Sequence, residues 1–357
     1  MAEFTVLIAM MISIVALATD VMLPALDDIG HDLALAHPND AQLVISSLFL
    51  GIAVGQIVVG PLSDVYGRRP VIIVGCLLFI VGCILSALAT TFSIMLFGRI
   101  LQGLGVAAPR IVTLAIVRDC YEGRAMARIM SIAMAVFIIV PALAPAIGEG
   151  VIVTAGWRAT FVLLLGQALV VLVWFVIRQP ETLPATERRR FSLKSMMAGI
   201  WEACTNRTVI GYTIAMGLVF GAFLGYLSSA QQVFQVTFNT GQLFVLYFGV
   251  AALTIGLASF VNSTVVMSLG MRSLTWWAFV AMSVSSIVFL VPSVTMNGVP
   301  PLWLFMTWLL LVFFCVGIVF GNLNALAMEP LGHMAGLGAA LVGSLATFIS
   351  LPLGWAV

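Results

Sequence analysis

The sequence predicts an all-α membrane protein with many spans. Three observations predict it. Of 357 residues, 62% are hydrophobic and 8% charged, whereas a soluble domain is about 45–50% apolar and about 25% charged. The apolar residues fall in long continuous runs of roughly 20, the length that crosses a bilayer as a helix. The basic residues collect in alternate connections between those runs. A transmembrane barrel would instead show short alternating segments.

The first run covers about 4–26. It is too long for the core of a secretory leader, and no small-residue cleavage site ends it, so it reads as an uncleaved span. Runs at about 41–62, 70–90, 92–117, 129–153 and 157–178 follow, giving a first bundle over 1–178. Residues 179–207 contain ETLPATERRRFSLK, the longest polar connection, and read as a cytoplasmic linker. Runs at about 208–230, 241–263, 273–294, 301–328 and 334–357 make the second bundle, 208–357. Six spans precede the linker and five follow, so a matching twelfth helix is expected to be missing.

With residues 63–69 in the cytoplasm, twelve of the fifteen Lys/Arg face inward: Arg68, Arg69, Arg118, Arg124, Arg128, Arg178, Arg188, Arg189, Arg190, Lys194, Arg207 and Arg272. Arg158 lies outside, and Arg99 and Arg110 lie within a span. The first outer loop, DDIGHDLALAHPND, has four aspartates and no Lys or Arg. The N-terminus is therefore expected in the cytoplasm.

The polar island GPLSDVYGRRP, residues 60–70, lies between the second and third spans. A sharp turn between helices favours its glycines and prolines. Gly60 lets helices approach closely. Asp64 reads as a clasp, accepting hydrogen bonds from Arg69 or from the start of a helix in the same bundle. The equivalent place in the second half is STVVMSLGMR, residues 263–272, with Gly270 for Gly67 and Arg272 for Arg69. Met267 stands where Asp64 would. Repeated halves with a site between them point to a transporter.

Ionisable groups inside the membrane are costly and are functional candidates. Asp20 and Arg99 each lie about 9–10 Å from the outer surface by helical rise. At one depth they are expected to pair, with Asp20 taking the proton. A static pair that only fixes packing is the alternative. Arg110 lies eleven residues after Arg99, on the same stripe and about 16 Å further in. It is a candidate for binding an anionic or strongly polar substrate, or else a charge that snorkels. Glu149, near the outer end of the fifth span, is a candidate second coupling or gate residue, or an interfacial acid near Arg158. Glu329 and His333, at a cytoplasmic end, are weaker gate candidates. Aromatic and amide side chains suit a cavity for bulky, mostly apolar ligands. The candidates are Gln102, Tyr212, Phe223, Tyr226, Tyr247 and Asn322, though aromatic residues on helices also simply pack.

Five stretches carry a family resemblance. Residues 60–70 resemble the loop signature of the major facilitator superfamily, G-x-L-x-D-x-x-G-R-[RK]. RILQGLGVAAP, residues 99–109, resembles its fourth-helix signature. VPALAPAIGEG, residues 140–150, resembles the fifth-helix signature of its antiporters, with Glu149 in place of a second glycine. TDVMLPAL, residues 19–26, and EPLGHMAGLGAALVGSL, residues 329–345, resemble the Bcr/CflA group of drug-resistance exporters. The resemblance implies the major facilitator fold, two pseudo-symmetric helix bundles with a central cavity, and alternating access. It also implies drug export across the bacterial inner membrane in exchange for protons, with no cofactor. On it rest a gate role for Gly60, Asp64, Gly67, Arg68 and Arg69, and a hinge role for Pro141, Pro145 and Gly148. The expected partners are a small-molecule substrate, protons and the bilayer, with no nucleic acid and a monomeric state.

Other classes fit less well. His31, His37 and His333 do not cluster, and the five cysteines lack ligand spacing, so neither a metal site nor a metal-dependent membrane enzyme is expected. No P-loop appears, which argues against ATP-driven transport, and nothing resembles a channel filter. A proton-coupled importer or an exporter of a natural metabolite shares all these features. A chain inactive without its twelfth helix is the remaining alternative.

Overall fold

The computed structural model describes residues 2–121, 123–186, 188 and 193–355, and no strand occurs among them. The helices of the first half are α1 (Ala2–Asp20), α2 (Leu26–Asp32), α3 (Leu43–Tyr66), α4 (Arg68–Ala87), α5 (Phe92–Cys120), α6 (Gly123–Ala155) and α7 (Arg158–Arg178). Those of the second are α8 (Leu193–Thr205), α9 (Arg207–Gln231), α10 (Phe244–Leu269), α11 (Met271–Thr295), α12 (Leu302–Met328) and α13 (Ala335–Trp355). Ten helices among the described residues are long and apolar enough to cross a membrane. The remaining expected span is α6, whose Ile139–Ala155 stretch is apolar. The protein is a multi-pass membrane protein. Its faces are called here the basic face, which carries Arg68 and Arg69, and the acidic face, which carries the aspartate-rich loop. Arg189 and Arg190, and the side chains of Arg124, Lys194 and His333, lie outside the described residues.

Local chemistry sets the helix ends. Thr91 caps α5, its hydroxyl accepting from Ile94 N–H at 3.4 Å. Asn206 caps α9, its side-chain oxygen accepting from Thr208 and Val209 N–H at 3.0 and 3.2 Å. Both caps satisfy N–H groups that have no partner within the helix. Gly67 ends α3 with φ +100°, and Gly270 ends α10 with φ +76°. Both angles lie in the left-handed region that glycine enters without strain. The two halves thus make the same bend at the same place, although little of the lettering is shared.

The linker is not wholly extended. Leu193, Met197, Ile200 and Trp201 recur at helical spacing, and α8 forms there. Ala203 is fully buried, and Ile200 packs on the second-half core of Val209, Met216, Leu331 and Leu341.

In the first half α5 is the central helix, packed on both α3 and α4. The glycines of RILQGLGV divide this task. A Cβ on Gly103 would lie 2.8 Å from Gly51 Cα on α3, and one on Gly105 would lie 2.5 Å from Gly75 O on α4. Only hydrogen at these positions lets three backbones come so close. The halves meet where α3 packs on α13 and α6 on α10, and where α9 meets the Leu23–Ala25 turn. Ser344 on α13 donates to Ala53 O on α3 at 2.7 Å.

Candidate functional site

Arg99 is fully buried. Its Nε donates to Val44 O on α3 at 3.0 Å, and its Nη2 donates to Ala18 O on α1 at 2.9 Å. Its Nη1 donates to Gln102 Oε1 at 2.6 Å. Gln102 Nε2 in turn donates to Ser86 Oγ on α4 at 3.1 Å. The guanidinium also lies 5.9 Å from the Phe161 ring on α7. Arg99 thus ties α5 to α1 and α3 and lies over α7, and Gln102 extends the knot to α4. Gln102 belongs to this knot rather than to a cavity wall.

The expected Asp20–Arg99 pair does not form. Equal depth brought the two residues to one level but did not aim them at each other, because backbone carbonyls on α1 and α3 already take the arginine's donors. Asp20, the last residue of α1, is 4% exposed and makes no hydrogen bond or ion pair among the described residues. The buried Tyr226 hydroxyl on α9 also lacks a hydrogen-bond partner among the described residues. Gln231 Nε2, five residues further along α9, donates to Pro24 O and Asp27 Oδ2, both at 3.2 Å. These bonds cross between the halves on the acidic face.

Arg110 is half-buried and makes no hydrogen bond or ion pair among the described residues. Glu149 is half-buried on α6 and does not meet Arg158. Arg158 instead donates to Asp32 at 2.8 Å and stacks on Trp157 at 4.1 Å. Asp32, the last residue of α2, takes the arginine instead. Pro141 and Pro145 lie within α6, which runs through both. Gly148 lies against Val21 O, and a Cβ there would strike that carbonyl.

The second-half candidates mostly pack. Tyr226 stacks on Phe248 at 5.9 Å and meets Phe313 edge-on at 4.7 Å. Phe223 meets Phe313 at 5.8 Å, and Tyr247 stacks on Phe234 at 5.7 Å. Tyr212 packs on the second-half core. Asn322 exchanges two 3.0 Å hydrogen bonds with Asn262 on α10, so its amide is occupied.

On the basic face the charged residues of the 60–70 island meet different partners from those expected. Asp64 pairs with Arg68, one helical turn on, and not with Arg69. Arg68 also donates to Asp119 at 3.1 Å, while Arg69 Nη2 donates to Val176 O at 2.8 Å. Glu181 was not picked out from the sequence, where it read as part of a polar linker. Its carboxylate accepts from the N–H groups of Arg68 at 2.9 Å and Arg69 at 3.1 Å, the half-buried start of α4. It also accepts from Thr182 and Leu183 N–H. Partial burial pushes this carboxyl up, but the N–H groups of Leu183, Arg68 and Arg69, with Arg188 nearby, together hold it below its ordinary value. All these groups belong to the first half and its linker. In the second half Arg272 meets Glu329 at 3.3 Å, both exposed.

The Major Facilitator Superfamily model matches residues 7–354. A bicyclomycin resistance protein homolog of Haemophilus influenzae is 28% identical over 344 residues, covering 94% of this chain and 83% of that protein. The multidrug resistance protein MdtL of Escherichia coli is 28% identical over 337 residues, covering 91% and 80%. A solved D-xylose–proton symporter superposes with a TM-score of 0.78 at 15% identity, covering 99% of this chain and 89% of that one, a likeness of fold.

Proposed function

The chain belongs to the major facilitator superfamily, and from that premise we propose that it exports small drug-like molecules in exchange for protons by alternating access. In this reading it lies in the bacterial inner membrane with its basic face in the cytoplasm, which the skew of its Lys and Arg supports. The observation that carries the proton step is Asp20. It is a carboxyl group buried beside the seam between the halves with no fixed partner. Such a group is free to exchange a proton or meet a ligand, whereas one locked in an ion pair is not. Arg99 holds the surrounding helices in place through its bonds to Ala18 and Val44. The Gln231 contacts close the acidic face and break when that face opens. The names of the resistance-protein relatives favour export of drugs over import.

Everted membrane vesicles with an acidic interior test this. A transported drug is expected to discharge the gradient with the intact chain and not with Asp20→Asn at equal abundance. Discharge that survives Asp20→Asn removes the proton role. Solute entering the cell with protons identifies an importer.

A further inference from the structure

Arg99 and Arg110 lie on one stripe of α5, yet their surroundings are opposite. Arg99 is sealed, with its three donor nitrogens bonded to protein oxygens. Arg110 is half-buried and has no partner among the described residues. It lies ten residues, about 15 Å, from the basic-face end of α5, deep in the membrane. An arginine at such depth is retained where it faces a polar partner or a water-filled crevice.

Among the described residues, the acids do not supply that partner. Thr113, one turn beyond Arg110, hydrogen-bonds Met11 on α1 and so fixes the level of the two helices. Arg110 lies three residues from Thr113 toward the acidic face, so along the helix axes it is about 9 Å from the level of Asp20 and about 16 Å from that of Glu3. Glu3 is taken by Arg178 at 2.9 Å and Trp174 at 3.0 Å. On the basic face, Asp64 and Asp119 are both held by Arg68. The second half offers nothing, since from Thr208 onward the chain's only Asp, Glu, Lys or Arg residues are Arg272 and Glu329. A guanidinium is charged at every physiological pH and presents a fork that matches carboxylate or sulfonate geometry.

We propose that Arg110 is a substrate-recognition residue that binds the anionic group, a carboxylate or sulfonate, of a small organic substrate. This rests on the transporter reading above and adds the charge class of its substrate. The anion supplies the counter-charge that Arg110 lacks among the described residues.

The test uses the full chain purified into lipid nanodiscs. Binding of a fluorescent aromatic carboxylate, its neutral methyl ester and a quaternary-ammonium analogue is measured on the intact chain, Arg110→Gln and Arg110→Lys. The carboxylate is expected to bind best. Arg110→Gln is expected to weaken it roughly 10- to 100-fold while leaving the ester nearly unchanged, and Arg110→Lys to restore part of the loss. Unchanged melting temperatures show that the variants fold. Binding of the carboxylate that is absent, no better than that of the ester, or indifferent to Arg110→Gln overturns the proposal. Arg110-dependent binding without proton-driven export leaves this site standing and overturns the efflux reading instead.

Discussion

Buried charges in this protein separate into those whose bonds are complete and those left open, and the two kinds predict different phenotypes. Arg99→Met removes hydrogen bonds to Val44, Ala18 and Gln102 that join several helices. It is expected to cost roughly 2–3 kcal/mol, read as a lower melting temperature. Asp20→Asn has no bond to lose and is expected to leave the melting temperature nearly unchanged. If the two variants melted alike, the distinction between them would be void. Glu181 gives a prediction in pH. Its carboxyl is held below its ordinary value in the fold, so its stabilisation is full above the unfolded value of about 4.3. That stabilisation is lost as pH falls through the depressed folded value. Melting curves of the parent and Glu181→Gln are expected to differ by roughly 1–2 kcal/mol at neutral pH and to converge in acid. A constant gap across pH would assign the loss to packing.

At the scale of helices, the spans were legible because a bilayer imposes length and apolarity on every one of them. The bends at Gly67 and Gly270 were legible too, since only glycine enters the left-handed region cheaply. The bends are not equivalent in cost. A Cβ at Gly67 would also strike the Glu181 carboxylate, whereas one at Gly270 meets nothing within 4 Å. Gly270→Ala is expected to lose only the backbone preference, roughly 1 kcal/mol, and Gly67→Ala more. Equal losses in melting temperature would show that the Glu181 contact is slack. What helical spacing could not supply was direction around the axis. It placed Asp20 and Arg99 at one depth but left open which acceptor the arginine reaches first. It also passed over Glu181, because a carboxylate that caps the start of a helix 113 residues earlier in the chain leaves no local pattern. The amphipathic spacing of α8 was present in the linker, but the surrounding charges read as loop.

Across the whole molecule, the bonds from Gln231 to Pro24 and Asp27 join the two halves on the acidic face. Gln231→Ala removes both and is expected to shift the balance toward the state open on that face by roughly 1–2 kcal/mol, about five- to thirtyfold in population. Spin labels at Asp28→Cys and Thr240→Cys, with the native cysteines replaced, would report it as a longer distance. An unchanged distance distribution would mean that the seal lies elsewhere. The uneven placement of charge has an electrical consequence. Arg99, Arg110 and Asp20 all belong to the first half, while the second has no Asp, Glu, Lys or Arg between its basic-face charges and the opposite face. A membrane voltage exerts about 2.3 kcal/mol per 100 mV on each elementary charge carried across it, so it has almost no grip on the second half. The first half and its cargo alone feel the field. Any voltage dependence of the transport cycle is therefore inherited from one half of the molecule, and the other moves as an uncharged wall.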